Sequence, residues 1–134
     1  MGGRAYHSAL TFQRLFAYAF WPIMWLIGIP GPETETAATL MGTKTVLNEF
    51  VAHVELARLP AQALSTRSRL TMTYALCGFA NFGSLGILIG ALSAMAPDRK
   101  HEVVNLGLRS IVSGTLATCM SGAVIGALDE LTAA

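Results

Sequence analysis

From Leu70 to Pro97 the chain runs for 28 residues without one charged side chain. As a single straight helix this stretch would be about 42 Å long, well beyond the ~30 Å hydrocarbon core of a bilayer. Its middle reads Gly78-Phe79-Ala80-Asn81-Phe82-Gly83-Ser84, with two glycines framing an asparagine ahead of a serine able to cap a new helix. The pattern predicts two half-helices meeting at a bend near the membrane midplane. Backbone groups left unpaired at such a bend must be buried in protein or line a cavity. That is the expectation for a re-entrant binding hairpin over 70–97.

A second apolar block, Thr36 to Val54, is about one bilayer length. It carries Thr45, Asn48, Glu49 and His53 at helical spacing, so one transmembrane helix over 36–54 would gather them on a polar stripe. A charged residue at that depth costs ~2.5–3.5 kcal/mol on insertion scales, so Glu49 is the first candidate for a functional group. Two more segments complete the set. Residues 10–30, loaded with Phe12, Phe16, Tyr18, Phe20, Trp21 and Trp25, suit an interfacial or membrane helix ended by the Pro30-Gly31-Pro32 loop signal. Residues 110–128 are uncharged and fit one span, with Gly122 and Gly126 spaced for close helix contact.

Composition agrees with an all-α, polytopic membrane chain. Hydrophobic residues make up 53% and charged residues 13%, about half the ~25% usual in soluble domains. The net charge of +1 gives no electrostatic case for nucleic acid. Cys77 and Cys119 lie in apolar runs, read as small core residues. The connections Glu55–Arg69 and Asp98–Arg109 are both net positive. Positive loops favour the cytoplasmic side, which supports a 70–97 segment that enters and leaves on one side.

The run Gly42-x-Lys44-x-x-x-Asn48-Glu49-Phe50-Val51-Ala52 resembles the signature of the concentrative nucleoside transporter family. Tyr74–Ser84 is similar to the family's second re-entrant hairpin. Ala96-Pro97-Asp98-Arg99-Lys100 with Leu106–Arg109 and Gly114–Ala117 resembles its final linker and last helix. The resemblance covers about residues 10–128. It implies the C-terminal portion of a longer transporter: an interfacial helix, the seventh transmembrane helix over 36–54, the second hairpin over 70–97 and the last helix. The base-contacting first hairpin and the scaffold through which family members form trimers would lie in a missing N-terminal part. His53 departs from the aromatic or methionine usual after Val51-Ala52.

The resemblance further implies nucleosides as substrates, carried across the plasma membrane (the inner membrane of a bacterium) with sodium or a proton as coupling ion and no other cofactor. It places the ribose hydroxyls on Glu49, Asn81 and Ser84, with Phe79 flanking the sugar. Each has a structural alternative: a buried helix pair for Glu49, turn or cap chemistry for Asn81 and Ser84, a lipid- or core-facing ring for Phe79. Asn48 is either a ligand contact or a structural bond holding the hairpin. Lys44 either snorkels or pairs with a carboxylate. Two other function classes stay open: a non-transporting membrane fragment or interaction subunit, and an intramembrane metal enzyme on Glu49 and His53, which together form only half a metal site.

Overall fold

A computed structural model describes residues 12–133, and every regular element among them is helical. The helices are α1 (Phe12–Leu26), α2 (Gly31–Val46), α3 (Glu49–Arg58), α4 (Thr66–Leu76), α5 (Phe82–Met95) and α6 (Lys100–Ala133). Short 3-10 turns occupy Ala61–Ala63 and Pro97–Arg99. The expected all-α architecture is present. The path of the chain differs from the expectation in two linked places.

The first is the block 36–54, which is not one helix. α2 ends at Val46, Leu47 leaves helical geometry, and Asn48 is fully extended with φ −166° and ψ 172°. The Asn48 side chain accepts the Val51 backbone N–H at 2.9 Å and so starts α3. The chain reverses here. Glu35, Thr36, Thr39 and Leu40 near the start of α2 border the same groove as Glu55, Arg58 and Leu59 at the end of α3. α2 and α3 therefore form a helical hairpin, with its tip at Leu47–Asn48. Pro30-Gly31-Pro32 is the start of α2 rather than a loop, because a proline in the first turn lacks only an N–H that would be unpaired anyway.

The second is the segment 70–97, which breaks where expected but does not turn back. Arg67 bonds the Gly126 carbonyl at 3.0 Å and Glu130 at 3.0 Å. A side chain added at Gly126 or Gly122 would strike Thr71, one at Gly114 would meet Ala80, and one at Gly107 would strike Leu85 and Ile89. Leu92 shares a groove with Val103. As residue numbers rise through α4 and α5, the partners on α6 fall steadily. α4 and α5 thus lie in line, an interrupted helical crossing that runs antiparallel along α6. The two positively charged connections lie at opposite ends of it, and the loop-charge argument for a 70–97 hairpin fails with it. The expected span over 110–128 is also longer, since most of the 98–109 linker is helical and α6 has 34 residues.

The hairpin stands against the first half of this crossing. Ser65 donates to Glu33 at 3.2 Å at its base, and Arg69 donates to the carbonyls of Leu56, Leu59 and Pro60 at 3.2, 3.0 and 2.6 Å. At the tip, the space over Gly83 is bounded by the Leu47 carbonyl. α1 runs alongside α2 and does not lie across the helix ends. Its Ala17, Tyr18 and Trp21 face Glu35, Ala38 and Thr39, and the Phe16 ring meets Phe82 edge-on at 5.8 Å. Residues 10 and 11 of the expected first helix lie outside the described residues.

The core sits between α1, the hairpin and α4, where Met24, Ile29, Met41, Met72 and Leu76 are fully or almost fully buried. Cys119 belongs to this core, whereas Cys77, expected there, is exposed at the break. Beyond the break, Leu85 is the one buried residue described in α5, and Leu108, Val112, Leu116, Met120, Val124 and Leu128 form an exposed apolar stripe on α6. Among the described residues one continuous helical stretch, Pro97–Thr132, is long and apolar enough to cross a bilayer.

Candidate functional site

The hairpin tip and the α4–α5 break meet. Glu49 is the first residue of α3 and Asn81 is the N-cap of α5. The Asn81 side chain accepts the Ser84 backbone N–H through Oδ1 at 2.8 Å, which fixes the amide so that its NH2 faces Glu49. Nδ2 donates to Glu49 Oε2 at 3.0 Å across the gap. Asn81 is 1% exposed, while Glu49 is half-buried. Two helix N-termini, those of α3 and α5, converge on the carboxylate. Their unpaired N–H groups and dipoles favour negative charge, which offsets part of the cost of holding it here.

This arrangement offers several acceptor positions on Glu49 and one spare N–H on Asn81. A vicinal diol fits it: one hydroxyl donates to the carboxylate while an oxygen accepts from the amide. Charge-assisted hydrogen bonds of this type are roughly twice as strong as neutral ones.

Ser84 and Phe79 are brought to a different side. Both line a groove of about 350 Å³ with Ala80, Leu85 and Leu88 against Ser110, Ile111 and Gly114 of α6. Ser84 is joined to the Glu49–Asn81 pair through its backbone N–H, and the residue that caps α5 is Asn81, not Ser84. Phe79 is 77% exposed, and Phe82 carries the aromatic contact with α1.

Asn48 takes the structural role, as cap of α3 at the hairpin tip. Lys44 neither snorkels nor pairs with a carboxylate. It is fully buried, and Nζ donates to the Ala75 carbonyl at 3.2 Å and to Thr118 Oγ1 at 3.0 Å. Sequence reasoning did not single out Thr118; its position four residues before Gly122 on the α4-facing stripe of α6 was the available signal. His53 turns both ring nitrogens to carbonyl oxygens, Nδ1 to Glu49 at 2.8 Å and Nε2 to Thr73 at 3.3 Å. That engagement leaves no ring nitrogen of His53 turned toward a metal beside Glu49, and the described residues contain no cluster of three metal-ligating side chains.

Residues 1–126 match the family described as "Na+ dependent nucleoside transporter C-terminus". The chain belongs to this family. Among sodium-dependent nucleoside transporters and their kin, it is 40% identical over its whole length to an uncharacterized transporter of Haemophilus influenzae, of which it covers 33%. It is 37% identical to solute carrier family 28 member 3 of Mus musculus, over 92% of this chain and 20% of that protein. Sodium/nucleoside cotransporter 1 of the same organism is 35% identical, over 90% of this chain and 21% of the relative. The chain thus spans a third or less of the relatives it matches. Among solved structures it is similar to CNTnw in an inward-facing substrate-bound state, with a TM-score of 0.77 and 41% identity over 87% of this chain and 30% of that one. A variant of CNTnw in an intermediate state superposes with a TM-score of 0.83. The family is one of transporters, and the chain is an all-α membrane protein segment.

Proposed function

We propose that this chain supplies the ribose-binding side of a transporter that couples nucleoside uptake to a cation gradient. The observation that carries the reading is the Asn81–Glu49 hydrogen bond, which joins the hairpin tip to the broken crossing through groups matched to a vicinal diol. The family described above and relatives named as sodium/nucleoside cotransporters support nucleosides as the substrate class and sodium as the first coupling ion to test. The protein would sit in the plasma membrane, the inner membrane in a bacterium, as a multi-pass chain. α1, the hairpin, the interrupted crossing and α6 would form part of a transport unit that assembles as a homotrimer when complete. Ser84 and Phe79 would border the sugar from the α6 groove, and no covalent chemistry is involved.

The test uses the complete transporter containing this chain. Glu49→Gln removes the acceptor charge and keeps the shape, and is expected to weaken uridine binding at least about tenfold, the scale of one lost charged hydrogen bond. Lys100→Gln, at the start of α6, should leave binding within about twofold, as surface substitutions do. Equal, small effects of the two would make Glu49 a structural residue and remove the reading.

A further inference from the structure

Helix α4 ends within an apolar run, and its last four carbonyls lack helical partners. Two find them in the chain just beyond: Tyr74 accepts from the Cys77 N–H at 3.1 Å and Leu76 from the Gly78 N–H at 2.9 Å. The other two face side chains from the hairpin. Ala75 accepts from Lys44 Nζ at 3.2 Å, and Thr73 faces His53 Nε2 at 3.3 Å. Each of the four carbonyls thus has a polar neighbour, and for two of them it is a side chain of α2 or α3.

Lys44 is the unusual member. It is fully buried, and neither ion pair among the described residues includes it. Thr118 donates its own hydroxyl hydrogen to Thr115 at 3.0 Å, which leaves its oxygen free to accept from the ammonium. A Cβ at Gly78 would lie 2.5 Å from Thr118 and 3.9 Å from Nζ, so the break is shaped around this contact. A buried ammonium without a carboxylate is costly, and what compensates it here is the negative end of the α4 dipole with two oxygen acceptors.

We propose that Lys44 is the positioning residue of the ribose site: a tethered cation that caps the broken crossing and thereby sets Asn81 against Glu49. Lys44 lies in the last turn of α2, five residues before Glu49, and its acceptor Ala75 lies six residues before Asn81. One ammonium therefore fixes the spacing of both halves of the pair without touching the sugar. The assignment rests on the ribose reading given above.

Uridine affinity of the complete transporter, measured by calorimetry, tests it in a double-mutant cycle. Lys44→Met fills the same space without charge or donor. It is expected to raise Kd about tenfold when Asn81 is present and by less than about threefold in an Asn81→Ala background, because coupled residues are not additive. Thr118→Val, which removes one acceptor, should shift Kd in the same direction by a smaller factor. An unchanged Kd in Lys44→Met overturns the proposal, as does an equal loss in both backgrounds, which would mark a general structural role. Lys44→Gln keeps one donor for Ala75 if the methionine variant does not fold, and failure of both to fold would also overturn it. No uridine binding by the unsubstituted transporter would instead defeat the ribose reading itself.

Discussion

Asn81 does two jobs with one amide, and the two can be separated. Its oxygen accepts from Ser84 and starts α5, while its nitrogen donates to Glu49. Serine caps helices about as well as asparagine but is too short to cross to Glu49. Asn81→Ser is therefore expected to keep the melting temperature of the detergent-solubilised transporter while weakening uridine binding about tenfold, the scale of one charged hydrogen bond. A fallen melting temperature with unchanged affinity would leave Asn81 as a cap alone. Glu49 was readable as a candidate because a charge in an apolar segment demands a reason, and Asn81 because the family resemblance implies it. Lys44 was harder to read. A lysine on a polar stripe reads as a surface or paired group, and its actual acceptors, a carbonyl of α4 and a hydroxyl of α6, are 31 and 74 residues away in sequence.

At the scale of elements, helix content and the break at 77–81 were legible, but the direction of the chain after each break was not. Glycines and asparagine announce that a helix stops. They do not say whether the next helix returns or continues. That is decided by α6, whose Gly107, Gly114, Gly122 and Gly126 receive α5 and α4 in line along its length. The hairpin tip was missed for the complementary reason: Thr45, Asn48, Glu49 and His53 fit a helical period, which masked Asn48 as a cap. Gly122 measures this packing. A Cβ there would lie 2.7 Å from the Thr71 carbonyl, so Gly122→Val should destabilise the protein by about 1–3 kcal/mol or more, as overpacking does. A Cβ at Gly86 would meet no other part of the chain within 4 Å, and Gly86→Ala should be neutral or stabilising by up to about 1 kcal/mol through helix propensity. Thermal melts of the pair check this, and similar behaviour of both would contradict the close α4–α6 contact. The direction of the crossing is tested separately. Single cysteines at Ala63 and Asp98, in a background lacking Cys77 and Cys119, should react with an impermeant thiol reagent from opposite faces of the membrane. Labelling of both from one face would restore the 70–97 hairpin.

For the whole molecule, the described helices divide into a packed half and an open half. Below the break, α1, α2, α3 and α4 enclose a core with buried methionines; above it, α5 and the first half of α6 expose Ile87, Leu88, Met95 and Leu106. The Glu49–Asn81 pair sits at the boundary between them. A ribose held there would find acceptors and a donor within this chain, and the base attached to it would need a second wall. Relatives three or more times longer than the match have the length to supply that wall. The expected outcome is background uridine uptake when the 134-residue chain is expressed alone, and saturable, cation-dependent uptake when it is co-expressed with, or fused to, the preceding part of a family member. Uptake by the chain alone would mean that these helices complete the site by self-association. No uptake in either arm, with both proteins shown to reach the membrane, would favour a non-transporting membrane segment, because the ribose side would then be present without any partner able to use it.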